Sequence, residues 1–552
     1  MGNIQHSKIS EDYVLTTKSD DNRTLQAEYN QNLAECFLDK ITKYLEVNED
    51  KELLVNCGKR FFPDETVSDG PVAHTLKDFL HKVPALAKSL YEKGLRKSDV
   101  VHLIIGNRAD IYLPVFATIL CQGVISISVD SISHDTLMTE LNDTQAEIVF
   151  CTNKTFKKVK NCGCTIINMD TDIEEMIANG CTSKVIVPKQ DVFSLKDVFV
   201  ILWSSGTTGQ PKGVQMTVVS FVDSMFATPK VKGNMLLSAN FGHISGFISS
   251  LFWTFHFSTS TFYYISSDDV KHFGVVKLFE VLKKVPMYSA LISANFLVDM
   301  AKMIKNGEIE SSPNFDKVYF FSPVGAHTYA GIEEDLGILF KNLICVPNFY
   351  GSTESGGGFL VSTNQHSNGG VVARTETYIR DLTTGQHLGP NKIGELMFRK
   401  ANATSTGYLN RPEENEKMFE KDGWTHTGDF FHYTEQGEFF FHSRINEMIK
   451  CQGSHVYPIE LEGLLKAMHD DIIEVGVVPV VEKKQTVLGA IIVVKNDKKI
   501  NVETIRKELN KKVDEYKRIE GQLLLTKEPL PRNAMGKLLR SEIQKLFKSS
   551  LA

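Results

Sequence analysis

From Leu76 onward apolar residues recur at spacings of three and four, at Phe79, Leu80, Val83, Leu86, Ala87 and Leu90, which predicts an amphipathic helix. Gly94 ends it, and Asp99 leads into Val100-Val101-His102-Leu103-Ile104-Ile105, a run whose β-branched residues predict a strand. Asn107 is expected to open the next helix, through Ala117. Val124–Val129 reads as a second strand and Glu147–Phe150 as a third, after a helix at Leu137–Leu141. Strand and helix alternate, so βαβ units and mostly parallel sheet are expected. Val198–Leu202 reads as a buried strand, and Asn234–Tyr350 as a second α/β stretch. A β-rich part follows: Tyr378–Leu382, a turn at Thr383-Thr384-Gly385, a returning strand Ile393–Phe398, and Phe439-Phe440-Phe441. After a boundary at Ser443–Asn446 the pattern predicts a small α+β domain. It has a helix after Pro458, strands at Val475–Val478 and Ala490–Val494, a helix from Asn501 and a strand at Leu523–Leu525. The first sixty residues are polar without clear period and are expected to wrap the surface.

Composition narrows the function classes. The 552 residues are 42% hydrophobic and 23% charged with net charge −6, ordinary for a globular protein and without the clustered Lys and Arg of a nucleic-acid binder. Nine cysteines are scattered with no Cys-x-x-Cys pair, and Cys162-Gly163-Cys164 is too close for a zinc knuckle. Reduced thiols in a cytosol-like compartment, without structural zinc, are therefore expected. Charged residues throughout the first fifty exclude a secretory signal, and in Met1-Gly2-Asn3 a myristoylation start lacks its hydroxyl residue, because His6 stands there. Ser550-Leu551-Ala552 matches a peroxisomal tripeptide at its first position alone. Gly233–Ser267 carries no Asp, Glu, Lys or Arg, but Asn234, Asn240, His243 and His256 would be costly in lipid. A buried helix and strand beside a ligand pocket fits better, with membrane contact at most peripheral.

The chemistry centres on Trp203-Ser204-Ser205-Gly206-Thr207-Thr208-Gly209-Gln210-Pro211-Lys212-Gly213-Val214. Its glycines let successive N–H groups point into one concavity, its hydroxyls add donors and Lys212 adds a positive charge, a set suited to phosphate oxygens. It is not a Walker A loop, since Pro211 precedes the lysine and Gly213 follows it. Downstream, Tyr350-Gly351-Ser352-Thr353-Glu354 offers an aromatic face, a close backbone approach, a hydroxyl and a carboxylate that can hold Mg²⁺. Asp429 can accept from both ribose hydroxyls or cap a turn, His243 reads as a core histidine or a pocket residue, and Lys537 as a surface lysine or a loop-tip cation.

The stretch at 203–214 resembles the phosphate-binding signature of the adenylate-forming superfamily, which includes acyl-CoA synthetases, 4-coumarate–CoA ligases and beetle luciferases. Motifs similar to the family's follow in order up to Leu538. The resemblance implies a large multi-layer N-terminal domain (1–442) of parallel-type sheets plus a β-barrel-like part, a hinge at 443–446 and a small mobile C-terminal domain (447–552). It implies ATP contacts at Ser204, Ser205, Gly206, Thr207, Thr208, Gly209 and Lys212, an adenine contact at Tyr350-Gly351, a phosphate contact at Thr353 and a magnesium ligand at Glu354. Asp429 and Arg444 would hold the ribose, and His243, in Phe241-Gly242-His243-Ile244-Ser245-Gly246-Phe247, would border the acyl pocket. Lys537, in Pro531–Leu538, would stabilise charge in the adenylation transition state. Lys450 and Gly453 would line the coenzyme A tunnel in the second step.

The implied function is an ATP-dependent acid–CoA ligase, with fatty acids favoured. The alternative is a luciferase-like or adenylation-only ligase acting on another carboxylate, although Ser245 stands where beetle luciferases carry an aromatic residue. Asn446 at the hinge and Val324-Gly325-Ala326-His327 depart from the usual pattern and bear on domain rotation and the acyl pocket. The sequence specifies neither the acyl chain nor the oligomeric state.

Overall fold

The computed structural model describes residues 8–10, 12–16 and 50–549, apart from 67–68, 186–195, 206–210, 219, 221–232, 253–260, 267–268, 270–271, 273, 326–327, 364, 373, 401–405, 452–453, 470, 483–484, 496–499 and 533–537. Its contacts divide the chain into two units, one mainly Thr16–Glu376 with Arg399–Trp424, the other mainly Thr377–Phe398 with Thr425–Ala552.

The first unit is α/β. Apolar runs at Val100–Leu103, Val124–Ile127, Ile148–Cys151 and Thr165–Asn168 form the parallel strands of one sheet, which Val198–Ser205 joins in register beside Val124–Ile127. Pro211–Thr217 and Gly407–Tyr408 complete this sheet with antiparallel edges. A second sheet places Asn234–Leu237 between Met287–Ser293 and Phe262–Tyr264, all parallel. Strands buried on both faces have no polar side to present, so they read as continuous apolar runs. The helix Leu76–Glu92 starts where its sequence says, because Thr75 and Asp78 form a reciprocal capping box.

Two expectations are corrected here. Asn107 does not open a helix; the helix is Tyr112–Leu120. Asn107 Nδ2 instead donates to the Ala239 carbonyl at 2.9 Å, and its Oδ1 accepts from Phe241 N–H at 2.8 Å, so tertiary bonds consume the side chain a cap would use. Nor does the whole N-terminal stretch lie on the surface. Glu52–Asn56 is a strand paired with Phe262–Tyr264 and Ala73–Thr75, and Leu53, Leu54 and Val55 are buried. Within the uncharged segment, Asn234–Leu237, Ile244–Phe247 and Phe262–Tyr264 form strand, short helix and strand, largely buried as expected. Among the described residues no helix is long and apolar enough to cross a membrane.

The second unit opens on an antiparallel sheet of Thr375–Arg380, Gly394–Lys400, Thr425–Tyr433 and Phe439–Arg444, its order a path rather than a closed ring among the described residues. The turn at Asp381–Gly385 is set by Asp381 Oδ1, which accepts from the N–H groups of Thr383 and Thr384 at 2.7 and 2.8 Å. The chain then forms the hairpin Ile449–Cys451 and Ser454–Val456, the long pair Ile472–Glu482 and Gln485–Val494 with Leu523–Thr526 beside it, and helices Pro458–Lys466, Val502–Lys512 and Arg540–Ser549. Contacts thus group the antiparallel sheet with the C-terminal segment.

Candidate active site

Phe199, Val200, Ile201 and Leu202 are buried, and burial stops at Trp203 and Ser204. The strand therefore delivers a polar loop at the carboxyl edge of the parallel sheet, where open α/β sheets take their ligands. The strand pairs antiparallel with Pro211–Thr217 as the arms of a β-hairpin: Ser205 pairs with Pro211, Ser204 with Lys212 and Trp203 with Gly213. A side chain at Gly213 would come within 2.9 Å of Ile201 Cγ2 and 3.3 Å of the Trp203 ring, so a glycine after the lysine lets the two arms close. Gly206, Thr207, Thr208 and Gly209 lie outside the described residues. Trp203 is anchored from below, its indole N–H donating to Ser126 Oγ at 3.0 Å.

Ser126 belongs to a buried polar network. Its Oγ meets His102 Nδ1 at 2.9 Å, Ser128 Oγ meets His102 Nε2 at 3.1 Å, and Ser128 hydrogen-bonds the Glu140 carboxyl. Burial pushes the Glu140 pKa up to about 8, against the bond from Ser128, and pushes that of His102 down to about 3. Both side chains are held neutral near pH 7.

Asn348–Ser352 brings Tyr350 and Gly351 to a tight turn, antiparallel to Gly357–Ser362. A side chain on Gly351 would meet the Gly357 carbonyl oxygen at 2.1 Å, so here the close approach that requires glycine is backbone to backbone. The Tyr350 ring packs edge-on against Phe359 with centroids 5.4 Å apart. Thr353 and Glu354 follow in the turn, both buried. Glu354 Oε1 accepts from the Tyr408 hydroxyl at 2.8 Å, and Lys212 Nζ lies 5.1 Å from the centroid of the same ring. Tyr408 itself pairs with Val214, on the arm of the hairpin just past Lys212. Lys212 and Glu354, 142 positions apart in sequence numbers (354 − 212), are thus brought together through a tyrosine that sequence reading passed over. No local pattern marks it, because its partners lie far along the chain.

His243 sits at the start of the helix Ile244–Phe247, with Nδ1 3.1 Å from Ser245 Oγ. Asn107 braces the backbone just before it at Ala239 and Phe241. Val324 ends the strand Phe320–Val324 and Gly325 follows it; Ala326 and His327 lie outside the described residues.

In the second unit Asp429 and Arg444 face each other across neighbouring strands, Oδ1 to Nε 4.0 Å. Thr427 Oγ1 accepts from Asp429 N–H at 3.1 Å and donates to the Leu396 carbonyl at 2.6 Å, which fixes the strand segment that carries the aspartate, where the sequence suggested a turn. Lys450 is exposed in the hairpin strand Ile449–Cys451; Gly453 and Lys537 lie outside the described residues. The arms of the Lys537 loop are described: Arg532 bridges to Leu538, and Leu539 N–H donates to the Pro531 carbonyl at 2.9 Å. Arg540, also unmarked in the sequence reading, clamps the base of that loop by pairing with Glu462 at 2.6 Å and Glu447 at 3.1 Å.

A hydroxyl-bearing hairpin, a lysine and one carboxylate fit a nucleotide carried with its cation, because Mg²⁺ is ordinarily held by one or two carboxylates together with substrate phosphates. Residues 51–409, more than half of the chain, match the AMP-binding enzyme family. The chain belongs to that family, the adenylate-forming enzymes. Among similar proteins, the luciferin 4-monooxygenase of Photuris pensylvanica is 28% identical over 85% of this chain and 89% of its own length. The 4-coumarate–CoA ligase 4 of Arabidopsis thaliana is 26% identical over 85% of each chain. Among solved structures, the O-succinylbenzoate coenzyme A synthetase of Bacillus subtilis in complex with ATP and magnesium ion superposes with a TM-score of 0.75 at 20% identity, covering 92% of this family member and 99% of that chain. That likeness establishes the shared α/β fold.

Proposed function

We propose that this AMP-binding enzyme is an ATP-dependent acid–CoA ligase that works in two steps on a fatty acid. The observation that carries the reading is the Lys212–Tyr408–Glu354 cluster, which sets a cation and a carboxylate about one tyrosine ring beside the paired strands Val198–Ser205 and Pro211–Thr217. In the first step a carboxylate oxygen attacks the α-phosphorus of ATP, the bond to the bridging oxygen breaks, and acyl-AMP and pyrophosphate form. Ser204, Ser205 and Gly206–Gly209 hold the phosphates, Thr353 donates to them, and Lys212 and Lys537 offset charge developing on phosphate oxygens. Mg²⁺, held by Glu354, would screen the repulsion between the two anions. Tyr350-Gly351 take the adenine, and Asp429 with Arg444 the ribose. In the second step we place the hinge at 443–446 and let the small domain rotate, so that Lys450 and Gly453 guide coenzyme A. Its thiolate attacks the acyl carbon, and AMP leaves with the electron pair of the broken C–O bond.

The fatty-acid assignment follows the breadth of the family, with the uncharged segment around His243 as the proposed border of the acyl pocket. The 28% likeness to a luciferin 4-monooxygenase favours one other reading, an enzyme that makes acyl-AMP and passes it to a different acceptor. We assign the chain to a reducing, cytosol-like compartment on its scattered cysteines without a Cys-x-x-Cys pair. Product analysis by mass spectrometry tests the function directly: purified protein with Mg-ATP and a panel of fatty and aromatic acids, each with and without coenzyme A. Acyl-CoA from fatty acids, only with coenzyme A present, is expected. Acyl-AMP without thioester would support the other acceptor, and no AMP from any acid would overturn both readings.

A further inference from the structure

Lysine and glutamate side chains drawn to one site ordinarily collapse onto each other, and a neutralised pair is a poor receptor for a metal–phosphate complex. Lys212 and Glu354 form no ion pair, and the Tyr408 ring lies between their roles. Its hydroxyl donates to Glu354 Oε1 at 2.8 Å, while its π face takes Lys212 Nζ at 5.1 Å. A carboxylate only accepts, so the phenol must be the donor here. Tyr408 is itself fixed by backbone: its N–H donates to Asn415 Oδ1 at 2.6 Å, Asn415 Nδ2 returns to its carbonyl at 2.8 Å, and Leu409 N–H donates to the Gly213 carbonyl at 2.8 Å. The Phe419 ring closes its edge at 6.1 Å.

We infer that Tyr408 is a positioning residue that keeps Lys212 and Glu354 apart and aimed, occupying Glu354 Oε1 so that Oε2 is presented to the cation. It acts through Glu354 and not on substrate, and the inference rests on the proposed metal role of that glutamate. A partner in this relation to a metal ligand typically changes metal affinity by ~10–100-fold when removed.

The test is Tyr408→Phe, which keeps the ring and loses only the hydroxyl, with Glu354→Gln as the reference. The readout is Mn²⁺ titrated into each enzyme with ATP and followed by EPR, alongside thermal unfolding and the Mg²⁺ dependence of pyrophosphate exchange. Tyr408→Phe should weaken Mn²⁺ binding by ~10-fold or more and raise the Mg²⁺ requirement, with the rate at saturating Mg²⁺ changed much less. A tyrosine that only supports the fold would lower the unfolding temperature and leave the Mn²⁺ constant where it was. An unchanged constant in Tyr408→Phe beside a weakened one in Glu354→Gln would overturn the inference and leave the functional reading standing. Unchanged constants in both would overturn the metal role of Glu354 and the inference with it.

Discussion

Two buried glutamates flank the paired strands Val198–Ser205 and Pro211–Thr217, and the protein treats them in opposite ways. Glu140 is 1% exposed and Glu354 8%. Glu140 meets Ser128 and lies 3.9 Å from His102, with no cation in its shell among the described residues, and Asp143 nearby makes ionisation harder still. Its proton stays, and the network of hydroxyls and imidazole it completes ends on the Trp203 indole. Glu354 has a phenol donor on one oxygen and, across that ring, an ammonium group. Burial alone therefore does not mark a functional acid. What separates the two is the positive charge: an ammonium group lies across the ring from which Glu354 accepts, whereas Glu140 has a neutral imidazole nearby.

The sharpest break of this comparison is the same substitution at both places. Glu354→Gln should lower ATP–pyrophosphate exchange by ~100–1,000-fold, the usual range for losing one preorganised charge-stabilising group. Glu140→Gln replaces a protonated acid by a neutral amide of the same shape and should leave exchange within about threefold, since it removes no charge that burial had not already suppressed. Equal losses in both variants, with both folded by circular dichroism, would show that the buried network takes part in the chemistry.

Much of this arrangement was legible beforehand, and the reason is local chemistry. The buried strand ending at Leu202, the Tyr350–Glu354 motif and the helix beginning at Leu76 are each written in contiguous residues. What escaped depends on partners far along the chain. Glu52–Asn56 is a short strand without period, buried by Phe262–Tyr264. Asn107 looks like a helix start, but its amide serves Ala239 and Phe241 instead. Tyr408 is one tyrosine among sixteen, and only its place beside Val214 and Glu354 distinguishes it. His102 looked like any residue of an apolar strand, and its buried neutral ring makes sense only with Ser126 and Ser128 from the neighbouring strand and Glu140 from the helix beyond.

The second test uses pH, and the signs differ for the two members of the buried network. The Glu140 pKa is raised to about 8 from an ordinary 4.5, so between those values the unfolded chain has lost a proton that the folded chain keeps, and stability falls as pH rises. The His102 pKa is lowered to about 3 from 6.5, so in that window the unfolded chain binds the extra proton and stability falls as pH falls. The two slopes oppose each other from about 4.5 to 6.5, and above 6.5 that of Glu140 stands alone. Denaturant unfolding should therefore show the wild type losing stability between pH 6.5 and 8 relative to Glu140→Gln, by at most about 1.4 kcal/mol per pH unit. Parallel pH profiles for the two proteins would mean that Glu140 is ionised in the fold, and the contrast with Glu354 would disappear.

The smallest effect tests whether the two clusters are mechanically joined. Asp143 lies on the helix of Glu140, and its carboxylate pairs with Arg411 at 2.6 Å, three residues past Tyr408; its carbonyl accepts from Asn410 Nδ2 at 2.8 Å. The segment that carries Tyr408 is thus tied to the helix that carries Glu140. The Arg411–Asp143 pair is partly exposed, so its contribution to stability is at most about 1 kcal/mol. If the pair only fastens the segment, Arg411→Gln should lower the unfolding midpoint slightly and leave the Mn²⁺ constant unchanged, because Asn415 and the Gly213 carbonyl still hold Tyr408. A weakened Mn²⁺ constant in Arg411→Gln would instead show that the position of Tyr408 depends on the helix beneath it, and that the proton-keeping cluster and the metal-facing one act as a single device.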